Sequence, residues 1–335
     1  MKLSLFSVVD PPPPADERDR LGELLARARE ADAQGLEALW VAEHHFGRAG
    51  ALPAPAVLLA AAAAQTRRLR LGCLVSVLPY HEPVEVAEEY AVLDRLSGGR
   101  LNFGCGSGYV ADELAGFGVD PATKRDRFDR ALRTIRAAWA GEEVRVERPD
   151  ARPVRLNVRP RQLPHPPLTI AVQRREAVPF VARWGASLAL IPYATLGGID
   201  ELRAEIAEYR AAGPPGFSGE VRVAMHVYAG ASRATGERAL QAYLDSRLAS
   251  QSAHFQEKVA ADPEHARAET IDRHGLALLT TPDELPGRLV PLAELGIDEL
   301  LAIVDFGSLP LDESLATVRA LGRARLARTS PPRAG

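Results

Sequence analysis

The sequence predicts a single closed (β/α)8 TIM barrel over residues 1–330, with 331–335 as a tail. Three observations carry this. Short apolar runs alternate with segments of helical spacing along the chain, and alternating βα units build a parallel sheet covered by helices. Eight such units can be placed, which favours a closed barrel over an open, doubly wound sheet. The length, 335 residues, is one that α/β barrels reach as one domain.

The elements follow in order. Leu3–Val9 is a strand that ends at Asp10 and four prolines. Asp16–Gln34 is a helix, with Leu21, Leu24, Leu25, Ala28 and Ala31 on one face and Gly35 to end it. Leu36–Ala42 is the second strand, Pro53–Thr66 a helix, and Leu69–Leu78 the third strand. Val84–Leu96 is a helix closed by Ser97-Gly98-Gly99, and Arg100–Gly106 is the fourth strand. A loop then leads to the helix Lys124–Trp139. In Gly141–Pro167, alternating Val154, Leu156 and Val158 between prolines predict a small inserted hairpin before the fifth strand.

The second half continues with strands Leu168–Val172, Ser187–Ile191 and Val221–Tyr228, followed by helices Glu176–Trp184, Ile199–Ala212 and Ser232 to about Ala249. The polar stretch Ser250–Thr281, with His254, His265 and His274, reads as a helical or mobile excursion over the barrel mouth between strands seven and eight. Helix Pro282–Leu295, strand Glu299–Val304 and helix Leu311–Ala327 complete the pattern.

Composition narrows the function. Forty-one Lys and Arg against 44 Asp and Glu leave a net charge of −3, without the basic excess of a nucleic-acid-binding protein. The most apolar run, Pro53–Ala64, is too short to span a bilayer. Two cysteines, Cys73 and Cys105, are too few for a disulfide framework or a cysteine-rich zinc site. With no signal-peptide pattern at the start, a cytoplasmic enzyme is expected.

In a closed barrel the reacting groups gather at the C-terminal ends of the strands. The second strand delivers Glu43-His44-His45-Phe46, where alternation points Glu43 and His45 one way and His44 the other. A histidine there suits proton transfer; the alternatives are a hydrogen-bonded structural histidine or a metal ligand. Metal is set aside, since adjacent histidines on a strand do not readily share one ion. The fourth strand runs into Gly104-Cys105-Gly106-Ser107-Gly108-Tyr109, which is either a phosphate-cradling loop or merely a tight turn. Gln173-Arg174-Arg175 precede a helix start, so they form either an anion site, with Arg174 preferred, or a solvated pair. Phe6, Trp40 and Tyr109 give an apolar mouth suited to an organic molecule, and Tyr193 and His226 join Phe6 and Trp40 in the substrate pocket. Helix 53–66 is apolar on every side. It is either an alanine-rich helix or, with helix 84–97, the interface of a homodimer.

At these residues the chain resembles the bacterial luciferase-like flavin monooxygenases. The matching stretches are Leu39-Trp40-Val41-Ala42-Glu43-His44-His45-Phe46, Leu71-Gly72, Val77-Leu78-Pro79 and His81-Glu82-Pro83-Val84. Leu93-Asp94-Arg95-Leu96-Ser97-Gly98-Gly99-Arg100, the run from Phe103 to Gly118, and Gly296-Ile297 complete them. The resemblance is dense over residues 1–140 and thinner beyond. It implies a barrel that takes FMN as FMNH2 from a separate flavin reductase, adds O2 to give a peroxyflavin, and oxygenates a small organic or natural-product-like substrate. It assigns His44 to proton transfer and Glu43 to a carboxylate near the flavin. Leu74-Val75, followed by Ser76, falls where the family often holds a non-proline cis peptide behind the ring. Ser107, Gly108 and Gln173-Arg174 fall near the flavin phosphate. Where luciferase α subunits carry Cys-Arg after the fourth strand this chain has Gly106-Ser107, which leaves Arg174 to supply the missing charge.

Two other functions are kept open. Relatives on this fold transfer hydride with the deazaflavin F420, and some are non-catalytic partner subunits of a heterodimer. Retention of Glu43-His44 argues against the second.

Overall fold

The computed structural model describes residues 1–9, 19–46, 50–146, 148, 150–248 and 253–329. Asp10, the four prolines after it, the start of the 250–281 excursion and the 331–335 tail lie outside the described residues. Eight strands form a parallel ring: β1 (Lys2–Ser7), β2 (Ala38–Val41), β3 (Arg70–Val77), β4 (Leu101–Gly106), β5 (Leu168–Ala171), β6 (Ser187–Leu190), β7 (Val221–Ala229) and β9 (Glu299–Ile303). Pairing of Lys2–Leu5 with Glu299–Ala302 closes the circle, so the predicted barrel is the fold.

A further strand, β8 (Ala277–Thr280), lies outside the ring and pairs with His226–Ala229 of β7. The sequence reading placed these residues at the end of an excursion with no strand, and the structure corrects it. β7 overshoots its barrel neighbours: β6 pairs with it only to Val223, and β9 only to His226. The exposed ladder beyond needs a partner, and the short apolar run Ala277-Leu278-Leu279 supplies it. The same excursion holds helices α9 (Ala253–Ala261) and α10 (Ala268–Arg273). A short helix α4 (Ala111–Gly116) occupies the stretch read as a loop after β4.

The outer helices are α1 (Arg20–Gln34), α2 (Pro55–Gln65), α3 (Pro83–Leu96), α5 (Lys124–Ala140), α6 (Val178–Arg183), α7 (Ile199–Ala212), α8 (Arg233–Arg247), α11 (Leu285–Glu294) and α12 (Leu311–Thr329). Local chemistry fixes their ends. The Asp19 side chain accepts from Gly22 N–H at the start of α1, and Gly35 closes it in the left-handed region. Apolar faces of these helices pack on outward strand residues such as Leu5, Leu39 and Leu71. Inside the ring Trp40 lies against Gly72, where a Cβ would come within 2.2 Å of the indole, so only glycine fits.

The Leu93–Arg100 motif proves to be a staple. Asp94, fully buried, accepts from the backbone N–H groups of Arg161 and Gln162 at 2.7 and 2.9 Å, tying the 141–167 insertion to the barrel. Arg100 donates to the carbonyls of Ala63, Thr66 and Leu69 and so binds the end of α2. In the insertion itself, among the described residues, the antiparallel pairing is a single bridge, Val144 with Val154.

Candidate active site

A cavity of about 350 Å³ opens at the C-terminal ends of the strands, where the barrel argument places chemistry. Its floor is apolar, with Phe6, Leu74, Val75, Ile170, Ala189 and Ile303. Leu74 and Val75 are joined by a cis peptide bond.

On one wall stands His44, only 7% exposed. Its Nδ1 lies 2.9 Å from Glu113 Oε1. The same oxygen accepts from His45 N–H at 2.9 Å, so it is an acceptor, and Nδ1 carries the proton it shares with His44. That fixes the tautomer and leaves Nε2 as the proton-accepting nitrogen. Glu113 comes from α4, the helix that sequence reading missed, and the carboxylate behind His44 was missed with it.

Glu43 faces the other way, as strand alternation predicts. Its Oε1 accepts from His45 Nε2 at 2.9 Å and His81 Nε2 at 2.7 Å, and its Oε2 accepts from Val77 N–H at 3.0 Å. Burial pushes this carboxyl up, but the bonds from His45 and His81, the His81 charge and the Val77 amide outweigh it and hold it at about 2. Burial pulls His81 down, and the hydrogen bond and charge of Glu43 outweigh that, so His81 titrates above its ordinary 6.5. Glu43, His45 and His81 are close enough together to hold a cation. Changing Glu43 to Gln is expected to lower the His81 midpoint, because burial is then opposed only by the more distant Glu89 and Glu85 charges; proton NMR titration reads it. The linkage signs differ. Stability contributed by Glu43 is present above about 4.5 and lost as pH falls toward 2. That from His81 is present below 6.5 and lost as pH rises through its raised value.

Another stretch of the wall is cationic. Ser107 and Gly108 meet Lys124, Arg125 and Arg174 there, with Gln173 beside them. Gly108 has φ +77°, and a Cβ would come within 2.7 Å of Tyr80 Oη. The Lys124 ammonium donates to Gly108 O at 2.6 Å. Burial and then the Arg125 and Arg174 charges lower the lysine's pKa, as cations sharing one place must. Apolar floor and cationic wall together fit a flat ring system carrying a phosphate.

Four of the predicted site residues lie elsewhere. Arg175 turns outward to Glu208, with Nε 2.7 Å from Oε2. Ser76 is buried against the outer helix α3, where it shares a hydrogen bond with Tyr90. Trp40 fills the barrel interior, where its Nε1 donates to Glu299 Oε1 at 3.0 Å and its ring carries the Arg222 guanidinium at 5.3 Å. His226, fully buried, sits behind the wall among Tyr193, Tyr243 and Phe306. Burial, aided by the Arg247 charge, pushes it down to about 3 and keeps it neutral. Each was placed by its nearness to a strand end in the sequence. Trp40 lies too deep, Ser76 faces outward to Tyr90 of α3, His226 sits behind the rings of Tyr193 and Tyr243, and Arg175 follows Arg174 in a strand-like turn that sends neighbours to opposite sides.

The luciferase-like monooxygenase family model matches residues 1–299 of the chain. The chain belongs to that family. It is 38% identical over 143 residues to 4-hydroxyprotoasukamycin monooxygenase of Streptomyces nodosus subsp. asukaensis, covering 42% of this chain and 38% of that protein. The chain spans less than two thirds of the length of the curated relatives it matches. Among solved structures it resembles the monooxygenase RslO1 of Streptomyces bottropensis, with TM-score 0.79, 27% identity and coverage of 98% and 100% of the two chains. The fold is also that of the oxygenating constituent of 3,6-diketocamphane monooxygenase of Pseudomonas putida, solved with FMN, at TM-score 0.81, 18% identity and 99% coverage of each chain.

This luciferase-like chain also carries wall residues that sequence reading did not single out: Lys124 and Arg125, Tyr243 and Arg247. The first pair had a signal, since two cations open the helix that follows the glycine-rich loop. Tyr243 and Arg247 had none, because they enter the mouth from α8, an outer helix rather than a strand end.

Proposed function

We propose that the protein is a reduced-flavin monooxygenase, taking FMNH2 from a separate reductase and transferring one oxygen atom of O2 to a small organic substrate. The observation that carries this is one cavity in which His44, backed by Glu113, and the Lys124–Arg125–Arg174 cluster share an apolar floor. Arg174, Lys124, Arg125 and Ser107 would hold the phosphate, and Leu74, Val75 and Phe6 would support the ring. Bound there, the reduced flavin supplies the electrons that activate O2. His44 Nε2 would take or return a proton at the reacting centre, while Glu113 keeps the imidazole oriented and stabilises its charged form. Tyr109 and Tyr193 line the cavity and limit water around that exchange.

Support for a homodimer through α2 and α3 comes from Val57, Val92 and Leu96, which are 71%, 44% and 66% exposed on those helices. Sedimentation at a single monomer mass would remove it.

The test is turnover by the purified chain with chemically reduced FMN. Oxygen consumption linked to substrate oxygenation is expected. Turnover with reduced F420 in the absence of oxygen, or none without a second subunit, would overturn the reading. The phosphate assignment has its own check. Arg174→Ala is expected to weaken FMN binding roughly tenfold, the size of one charge-assisted hydrogen bond, and to leave riboflavin binding unchanged. Fluorescence titration measures both.

A further inference from the structure

We infer that Glu43, His45 and His81 form a binding site for a divalent transition ion of the zinc class, placed beside the cavity and serving to tie two strand ends together. The inference does not rest on the monooxygenase reading, since every ligand belongs to the chain and none is taken from the His44–Glu113 pair.

The donor atoms already converge. Glu43 Oε1 lies 2.9 Å from His45 Nε2 and 2.7 Å from His81 Nε2, and the three atoms all fall within 4.8 Å of one another. Zinc bonds of about 2.0–2.2 Å hold neighbouring donors roughly 3–3.5 Å apart, so the two contacts need to open by only about half an ångström. Two imidazoles and one carboxylate are the donor set of His2Glu zinc sites, and they leave a coordination position open to water. Among the described residues, no other group of three His, Cys, Asp or Glu side chains converges in this way. Strand alternation turns His44 away from His45, to Glu113. The second imidazole comes from His81 instead, beyond the end of β3.

The surroundings hold these ligands in place. Glu43 Oε2 accepts from Val77 N–H at 3.0 Å, which fixes the carboxylate and leaves Oε1 to ligate alone. The His45 ring stands edge-on to Phe117 at 4.7 Å and to Tyr80 at 5.9 Å, and tilts against Phe46 at 5.6 Å. Such an apolar shell limits the water that competes for the ion. The Glu43 and His45 side chains are 2% and 10% exposed, whereas His81 is 31% exposed and gives an ion its way in. An ion held here would join the end of β2 to the segment after β3. His45 also donates its backbone N–H to Glu113 Oε1 at 2.9 Å, so the tie falls next to the carboxylate that orients His44.

The experiment uses the full chain, stripped with a chelator and titrated with zinc chloride in a calorimeter. One ion per chain is expected. An open three-ligand site holds zinc less tightly than a closed four-ligand one, so a dissociation constant on the order of 1 μM is expected. His81→Gln and His45→Gln should each weaken binding by more than about tenfold, beyond the loss of a mere supporting partner. His274→Gln, an exposed histidine away from the cluster, should leave it unchanged. Zinc should raise the thermal midpoint of the unaltered chain and not that of His81→Gln. X-ray absorption of the zinc-loaded chain reads the ligands without any substitution, and two imidazole nitrogens with one carboxylate oxygen at about 2.0–2.2 Å are expected. No saturable binding up to about 100 μM zinc, undiminished affinity in His81→Gln, or an absorption spectrum without imidazole overturns the inference.

Discussion

Replacing His44 with alanine is expected to lower turnover about 10²- to 10⁴-fold, the range general acid–base help contributes. Folding and FMN affinity should survive. His44 sits at the end of β2 with one face to the cavity, and the carboxylate it bonds through its ring can re-pair: Glu113 still accepts from His45 N–H. Glu113→Gln separates roles more finely. It keeps the shape but replaces the carboxylate that accepts from His44 Nδ1, so activity should fall less than in His44→Ala. Rapid-mixing kinetics with preformed reduced enzyme would show both. If His44→Ala turned over at the unaltered rate, the histidine would be structural and the mechanism would need another proton carrier.

What could be read from the sequence followed from periodicity. Strands such as Leu101–Gly106 and helices such as Lys124–Ala140 announce themselves by apolar spacing, and the barrel follows from their order. β8 escaped because its four residues draw their stability from the free edge of β7, a tertiary fact. The site was legible where a strand end carries it. Parity alone separates His44 from the Glu43–His45 pair, and the structure keeps that separation. It was not legible where depth or a distant segment decides. Parity could not say that Trp40 lies too far down the barrel, nor that Glu113, 69 residues away, would complete His44. His81 stood within a matching motif but acquired a role only when the fold brought its ring to Glu43.

The largest stability loss is expected from Glu299→Ala, about 3–5 kcal/mol, the usual effect of stranding a buried charge. Glu299 is 1% exposed at the foot of the barrel. One of its oxygens accepts from Ser4 Oγ at 2.6 Å and Trp40 Nε1 at 3.0 Å, and the other from Arg222 Nε at 2.8 Å. It therefore links β1, β2, β7 and β9 across the seam where the ring closes. Alanine would leave the Arg222 guanidinium, 4% exposed, with only Glu220 and Thr169 as partners, and the indole N–H with none among those given by Glu299. At ~2–4 °C per kcal/mol the midpoint of thermal unfolding should fall by roughly 10 °C. Removing both charges, in Arg222→Met with Glu299→Leu, should recover much of the loss, because the penalty lies in a buried ion that has lost part of its pairing rather than in the absence of the pair. A double variant as unstable as Glu299→Ala would mean that the link between the strands, and not charge burial, is what Glu299 provides. Since Phe6 and Ile303 of the cavity floor stand on these same strands, either variant that folds should also be assayed for FMN affinity, which the barrel-foot location predicts to be unchanged.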